Sequence, residues 1–215
     1  AGAAAEAELG GAVTYVRTDV TSEEGVTDAV KLAVDHMGLV NAAINCAGII
    51  GAGRVLGREA PMALEFFSKV IQVNLVGSFN VIKAAGAAME SNPPGEDGER
   101  GVIISTASVA ATDGQIGQAA YSASKAGIVG MTLPVAREYA RIGVRVNAVA
   151  PGIFWTPMVD GMPEHIQESL SASIPFPSRL GKPEEYAELV AHIVENGYLN
   201  GETIRLDGAV RLAPK

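Results

Sequence analysis

The sequence predicts an α/β fold in which a doubly wound parallel sheet forms a single domain over residues 1–215. Short runs rich in β-branched residues alternate with longer stretches of helical period, which is the pattern of βαβ units. The length of 215 residues fits one large domain, and 48% hydrophobic residues can supply its core. We find neither an internal repeat nor a composition change that would mark a domain boundary.

Five segments are expected as strands because they are short, apolar and followed by turn residues. They are Val13–Thr18, Asn41–Cys46, Val102–Ser105, Val144–Val149 and Thr203–Leu206. In an open parallel sheet, ligands bind beyond the carboxyl ends of the strands. The residues that follow these strands are therefore candidates for a ligand site.

The segments between the strands carry helical periodicity. Helices are expected over Ala1–Leu9, from Thr21 to Met37, Met62–Met89, Gln118–Arg141, Glu164–Leu170 and from Pro183 to Val194. Thr21 and Glu24 have the spacing of a capping box, which predicts Thr21 as the N-cap. The Met62–Met89 helix should be interrupted near Asn74–Gly77, and the turn-rich segment Ser91–Arg100 should be a surface loop.

Composition excludes several classes of protein. Lys and Arg number 16 against 24 Asp and Glu, so the net charge is −8, which disfavours nucleic-acid binding. No apolar run approaches the roughly 18 residues of a membrane span, so no membrane association is expected. The single cysteine, Cys46, excludes an intramolecular disulfide and predicts a reducing, cytoplasmic location. His36, His165 and His192 lack metal-ligand spacing, so no metal is expected.

The strongest chemical signal is Tyr121-Ser-Ala-Ser-Lys125, with Ser108 thirteen residues earlier at the end of a predicted strand. Tyr121 and Lys125 are four residues apart, so on a helix their side chains share a face. A free phenol has a pKa of about 10, and a nearby ammonium should lower it towards useful acid–base chemistry. Ser108 is placed to hydrogen-bond the oxygen whose proton Tyr121 takes or gives.

These residues resemble the short-chain dehydrogenase/reductase family. Its Tyr-x-x-x-Lys motif matches Tyr121–Lys125, and its catalytic Ser and Asn match Ser108 and Asn74. Its Asn-Asn-Ala-Gly strand end appears as Asn45-Cys46-Ala47-Gly48, its Pro-Gly step as Pro151-Gly152, and its adenine-contacting pair as Asp19-Val20. The motifs occur in family order over almost the whole chain.

The resemblance implies a Rossmann-like enzyme that interconverts a secondary alcohol and a ketone with NAD, or alternatively NADP, as cofactor. Asn74, Ser108, Tyr121 and Lys125 would be catalytic, and Asn74 would support a water next to Lys125. The cofactor would contact Asp19, Val20, Asn45, Cys46, Ala47, Gly48, Tyr121, Lys125, Pro151, Gly152, Phe154 and Thr156. The substrate would contact Ser108, Gln115, Tyr121 and Trp155. Trp155 departs from the family pattern, where a small residue is usual, and should narrow the pocket.

The segments Ser105–Ala111, Gly117–Gly127 and Ile174–Gly181 are similar to the branch that oxidises 3-hydroxyacyl-CoA with NAD. An apolar run, Ile153 to Met162, is expected to form a substrate lid. Cations that could bind CoA phosphates are Arg54, Arg58 and Arg179. Two alternatives stay open: a 3-oxoacyl-carrier-protein or acetoacetyl-CoA reductase that uses NADPH, and a non-catalytic nucleotide-binding module.

The resemblance also implies a homotetramer, assembled through the helices of Met62–Met89 and Gln118–Arg141. In the family a strand, a glycine-rich turn and a helix precede the segment where this sequence starts. We therefore expect the fold to lack its first strand–helix units here, on the order of 40 residues, because a βαβ unit needs about 30 or more. Those units would carry the phosphate-binding glycines and the residue that selects NAD or NADP.

Overall fold

Four parallel strands form the centre of the structure, a computed structural model that describes residues 2–156, 159, 161 and 163–214. The strands are β1 (Ala42–Asn45), β2 (Gly101–Thr106), β3 (Val144–Pro151) and β4 (Thr203–Leu206). They lie side by side in this order, with Ile104 of β2 beside Ile44 and Asn147. All three pairings are parallel, so the carboxyl ends of the strands meet at one edge of the sheet.

Seven helices connect and flank the strands in the described part of the chain. They are α1 (Gly2–Leu9), α2 (Glu23–Met37), α3 (Leu64–Ile71), α4 (Gly77–Glu90), α5 (Ala119–Tyr139), α6 (Glu164–Ala172) and α7 (Pro183–Glu195). A π-helical turn, Gln72–Val76, separates α3 from α4, so the predicted interruption near Asn74–Gly77 is confirmed. Pro183 opens α7, where its missing N–H costs no helical hydrogen bond.

Helices cover both faces of the sheet. Successive β2 residues point to opposite faces, so Ile103 packs with Ile82 of α4 while Val102 and Ile104 pack with Ile193 of α7. Each of these side chains is at most 2% exposed, and burying one contributes about 1.5–3 kcal/mol. The doubly wound, Rossmann-like sheet in one domain is thereby confirmed.

Two local predictions were wrong. Val13–Thr18 is not a strand, because its backbone pairs with none of the described strands; Tyr15 packs instead on Gly2 of α1. The N-cap of α2 is Ser22, whose hydroxyl accepts a hydrogen bond from the Gly25 N–H at 3.1 Å. Thr21 cannot serve as the cap because its N–H and hydroxyl both donate to Asp19 Oδ1, at 2.9 and 2.8 Å.

The expectation that no segment has the length and composition of a membrane span was too strong. The helical stretch Leu64–Glu90 has 27 residues and contains an 18-residue window of mean hydropathy 1.2. In this structure 44% of that window is buried within the protein. Ile82 and Met89 belong to the core on β2 and β3, and Asn74, Ser78 and Asn80 are buried polar residues. Packing against the sheet therefore accounts for the apolar side of this stretch.

Candidate active site

An open cleft of about 560 Å³ lies at the carboxyl edge of the sheet. Most of its lining is apolar, with a few hydroxyl, thiol and amide groups among the apolar side chains, which is typical of small-molecule sites. Nine of the residues singled out in the sequence line it: Cys46, Ser108, Gln115, Tyr121, Pro151, Gly152, Phe154, Trp155 and Thr156. The topology thus brings together residues more than a hundred positions apart in the chain.

Tyr121 lies in the first turn of α5, with its ring facing the cleft. Burial raises the pKa of the Tyr121 phenol above its ordinary value, and a hydrogen bond with Ser108 acts in the opposite direction. Ser108 is held by its own backbone turn, because its hydroxyl oxygen accepts from the Ala110 N–H at 3.1 Å. The two hydroxyl groups can therefore share one substrate oxygen.

Lys125 lies one helical turn after Tyr121 and is 5% exposed. Its ammonium donates to the main-chain carbonyl of Thr106 at 2.7 Å and lies 5.7 Å from the centre of the Tyr121 ring. Burial lowers the pKa of Lys125 to about 8. The expectation that Lys125 lowers the pKa of Tyr121 is wrong for this structure. Desolvation of the phenol has the largest influence on its pKa and raises it, and burial also disfavours the charged form of Lys125.

Asn74 lies in the π-helical turn and is completely buried. Its side-chain oxygen accepts from the Ile49 N–H at 2.8 Å, and its amide donates to the Ile49 carbonyl and to Ser124 Oγ at 2.9 and 3.0 Å. A Cβ atom at Gly48 would come 3.3 Å from Asn74 Oδ1 and 3.7 Å from Lys125 Nζ. Gly48, Asn74 and Lys125 are therefore neighbours, and Asn74 fixes the loop that follows β1.

The end of β1 carries two further predicted residues. Asn45 is buried and donates to Ser105 Oγ at 3.1 Å, which ties β1 to β2. Cys46, the last residue of the expected strand Asn41–Cys46, follows β1 and is exposed. The reason is topological: β1 is an edge strand of the described sheet, with β2 as its partner, and Ile44 is 38% exposed. Ala47 is likewise exposed in the loop that follows.

The loop after β3 forms one wall of the cleft. Gly152 donates from its N–H to the Leu206 carbonyl at 2.9 Å, and a Cβ atom there would lie 2.8 Å from Asp207 Cβ, so glycine is required. Trp155 is 41% exposed, and its N–H donates to the Gly181 carbonyl at 2.8 Å. Of the predicted lid, residues 153–156 and Val159 line the cleft, whereas Met158 and Met162 lie outside the described residues.

Gln115 lines the cleft, but its side chain already has protein partners. Its amide donates to the Ala213 carbonyl at 2.9 Å, and its oxygen accepts from Gln118 at 3.2 Å. The Ile116 N–H also donates to the Pro214 carbonyl at 3.0 Å. This loop therefore anchors the C-terminal segment beside the cleft, and substrate contact by Gln115 stays a prediction.

Asp19 and Val20 lie away from the cleft lining. The Asp19 carboxylate accepts both hydrogen bonds from Thr21, which lower the pKa of Asp19. Val20 packs its side chain on Gly77 of α4, and its carbonyl accepts from Asn80 at 3.0 Å. The structure shows both residues in a turn role, and contact with an adenine stays a prediction.

Sequence reasoning missed two polar groups in the cleft, the hydroxyls of Thr106 and Tyr186. Tyr186 belongs to the sheet-facing side of α7, and the apolar periodicity of that side is typical of core residues. Its hydroxyl lies 2.6 Å from Thr106 Oγ1, and its ring meets Phe154 edge-on, with 6.4 Å between ring centroids. The available signal was its position at the first turn of α7, next to the loop that lines the cleft.

The residues present fit the nicotinamide half of a dinucleotide. The Lys125 ammonium has three protons and donates one to the Thr106 carbonyl, so the others can donate to ribose hydroxyls. The space beside it is one that a side chain at Gly48 would occupy. The Thr156 hydroxyl on the cleft wall suits a carboxamide. Among the described residues, no group of three or more His, Cys, Asp or Glu side chains could hold a metal ion.

Fold and site define a nicotinamide-dependent oxidoreductase of the doubly wound class. A family model described as "Enoyl-(Acyl carrier protein) reductase" matches residues 1–210. The chain belongs to the short-chain dehydrogenase/reductase family. It is an oxidoreductase that acts on the CH–OH group of a small-molecule substrate with a nicotinamide nucleotide cofactor.

Several similar proteins have one name in common. The chain is 53% identical over 215 residues to 3-hydroxyacyl-CoA dehydrogenase type-2 of Homo sapiens, which covers 99% of this chain and 82% of that protein. The protein of the same name from Drosophila melanogaster is 53% identical over 209 residues, 96% of this chain and 82% of its own. A crystal structure of 3-hydroxyacyl-CoA dehydrogenase type-2 from Mycobacterium avium is 42% identical, with a TM-score of 0.95 over 100% of this chain and 83% of that one.

Proposed function

We propose that this protein is an NAD-dependent 3-hydroxyacyl-CoA dehydrogenase that interconverts 3-hydroxyacyl-CoA and 3-oxoacyl-CoA. The observation that carries the proposal is the placement of Ser108 and Tyr121 in the lining of a mainly apolar cleft, with the buried Lys125 ammonium 5.7 Å from the Tyr121 ring. The names of relatives at 53% identity support the same activity and do not favour a carrier-protein reductase.

In this proposal Tyr121 removes the proton of the substrate hydroxyl and Ser108 orients the oxygen. Lys125 binds the nicotinamide ribose and faces the Tyr121 ring, while Asn74 fixes the loop beside it. A nicotinamide held beside Lys125 would supply the acceptor for a hydride from the carbinol carbon. Because burial raises the pKa of the Tyr121 phenol, oxidation should become faster as the pH rises.

The apolar part of the cleft suits the acyl chain of the substrate. Its lining includes Phe154 and Trp155, and Val159 packs there in one cluster with Leu170 and Leu212. Arg54 and Arg58 are exposed on the loop beside the cleft, where the Gly53 N–H donates to the Gly117 carbonyl at 2.8 Å, and we assign them to the CoA phosphates. Arg179 is a poorer candidate because its guanidinium pairs with Glu185 at 2.6 Å.

The decisive experiment is steady-state kinetics with acetoacetyl-CoA and with 3-hydroxybutyryl-CoA, comparing NADH with NADPH and NAD with NADP. We expect turnover of both thioesters and preference for the non-phosphorylated cofactor. A hundredfold preference for NADPH would refute the assignment to this branch. Arg54→Ala and Arg58→Ala should raise KM for the CoA ester, while the KM for NAD stays unchanged.

We further propose that the protein assembles as a homotetramer through α4 and α5. The exposed side chains Phe66, Phe79 and Leu133, on α3, α4 and α5, support this proposal, since they leave apolar surface uncovered in one chain. Sedimentation at micromolar concentration should give about four times the mass of one chain. A single-chain mass would contradict the proposal.

A further inference from the structure

We propose that Tyr186 is a positioning residue for the nicotinamide end of the cleft, acting through the Thr106 hydroxyl on the strand end that holds Lys125. The inference rests on the proposed function, in which Lys125 binds the cofactor and faces Tyr121. It concerns a residue of α7, far in sequence from the Tyr-x-x-x-Lys motif.

The contacts form a chain of three polar groups. The Tyr186 hydroxyl lies 2.6 Å from Thr106 Oγ1, and the Thr106 hydroxyl donates to Cys46 Sγ at 3.8 Å. Either hydroxyl can be the donor in the shorter bond between Tyr186 and Thr106. The chain joins α7 to the carboxyl ends of β2 and β1, the two strand ends next to the cofactor residues.

Thr106 is held from both faces of the sheet. Its side chain is bound by Tyr186 from α7, and its carbonyl accepts from Lys125 of α5 at 2.7 Å. Rotation of residue 106 would weaken both bonds at once, so the Tyr186 hydroxyl restrains the direction of the Thr106 carbonyl. That carbonyl is the protein group to which the Lys125 ammonium is bonded.

Packing alone does not require a hydroxyl at this position. The same face of α7 is otherwise aliphatic, with Leu189, Val190 and Ile193 on the sheet, and the edge-on contact with Phe154 uses only the Tyr186 ring. Burial raises the pKa of Tyr186 to about 12, so the hydroxyl remains protonated throughout the working range of pH. A phenylalanine would fill the same space and lose the interactions of the hydroxyl with Thr106 and Cys46.

The test compares Tyr186→Phe, Thr106→Val, Thr106→Ser and the double variant Tyr186→Phe/Thr106→Val. Four quantities are measured: the Kd for NAD without substrate, kcat and KM for acetoacetyl-CoA reduction, and the rate of Cys46 modification by a chromogenic disulfide reagent. Tyr139→Phe is the matched control, since its hydroxyl donates to the Ile82 carbonyl at 3.3 Å and does not line the cleft. Thermal unfolding of every variant confirms that it folds.

We expect Tyr186→Phe to weaken NAD binding and kcat/KM by about three- to tenfold, the equivalent of one hydrogen bond. Thr106→Val should lose a similar amount and the double variant no more, because the two hydroxyls act as one unit. Thr106→Ser should stay within about twofold of wild type, and Cys46 should react faster in Tyr186→Phe and in Thr106→Val.

Losses that multiply in the double variant would overturn the proposal, and so would an unchanged Kd with only a lower melting temperature. The proposed function is judged separately. If wild-type protein turns over no acyl-CoA while Kd and Cys46 reactivity respond as expected, the substrate assignment fails and the role of Tyr186 stands. If Tyr186→Phe does not fold, the comparison of Thr106→Val with Thr106→Ser decides the outcome by the same criteria.

Discussion

The Lys125 ammonium donates to the main-chain carbonyl of Thr106 at 2.7 Å, which fixes a buried cation beneath the Tyr121 ring. Thr106 ends β2 and Lys125 belongs to α5, so the bond joins the sheet to the helix that carries Tyr121. Burial lowers the pKa of Lys125 to about 8, and the folded protein therefore holds this charge at a cost.

That cost predicts a pH dependence of stability. Below pH 8 Lys125 is protonated in both the folded and unfolded states, so the burial cost is fully present. Between about pH 8 and 10.5 the folded protein has released the proton and the unfolded chain keeps it, so the free energy of unfolding rises with pH. From pH 8 to 9.5 the rise should be about 2 kcal/mol, at about 1.36 kcal/mol per pH unit.

Urea denaturation of wild type and Lys125→Met at several pH values between 7 and 9.5 isolates this contribution. The difference in free energy of unfolding between the two proteins should grow with pH over that window. The tyrosines Tyr121 and Tyr186 titrate above it, since burial raises both pKa values. A difference that does not vary with pH would show that Lys125 has an ordinary pKa.

Replacement of Tyr121 by phenylalanine should abolish turnover and leave cofactor affinity nearly unchanged. The phenol is the proton acceptor in the proposed reaction, and general acid–base groups contribute about 10²- to 10⁴-fold. The ring, its burial and the neighbouring Lys125 remain in Tyr121→Phe. Activity is followed by nicotinamide absorbance and affinity by NAD titration, with Tyr139→Phe as control. Retention of more than a tenth of wild-type activity would exclude Tyr121 as the proton acceptor.

Local patterns were sufficient for the elements that place Ser108 and Tyr121. Val102–Ser105 and Val144–Val149 are runs rich in β-branched residues and buried on both faces of a sheet. The carboxyl end of a strand in a parallel sheet lies at the ligand edge whatever its neighbours are. Spacing of four residues placed Lys125 on the side of α5 that faces Tyr121. These inferences need only the periodicity of residue types along the chain and the direction of the strands.

The remaining features depend on partners that spacing does not reveal. Thr106 and Tyr186 are 80 residues apart, so neither helical nor strand periodicity can predict the hydrogen bond between them. Val13–Thr18 has the composition of a strand, but pairing needs a neighbour in space. The pKa of Tyr121 was predicted in the wrong direction because the degree of burial, the largest influence, is a property of the packed structure.

Asn74 should be more important for stability than a single polar contact would be. Its side chain satisfies both the N–H and the carbonyl of Ile49, and truncation leaves these two groups without their partner. Asn74→Ala should therefore cost about 3 kcal/mol and lower the melting temperature by about 6–12 °C. The control is Asn80→Ala, which removes one bond, to the Val20 carbonyl. If both variants melt at the same temperature, Asn74 does not have the anchoring role described above.

Trp155 should limit the size of the acyl chain that enters the cleft. It lines the cleft and is 41% exposed, and its backbone N–H bond to Gly181 does not depend on the side chain, so Trp155→Ala should change stability by less than about 1 kcal/mol. The enlarged pocket should raise kcat/KM for long-chain relative to four-carbon 3-oxoacyl-CoA by about tenfold. The reason is that one substrate methylene more or less in an apolar pocket changes the binding energy by about 1–3 kcal/mol. Initial rates across acyl chain lengths measure this ratio, and Phe176→Ala is the matched control because Phe176 is exposed and outside the cleft lining. An unchanged chain-length profile in Trp155→Ala would show that the acyl chain does not pass Trp155.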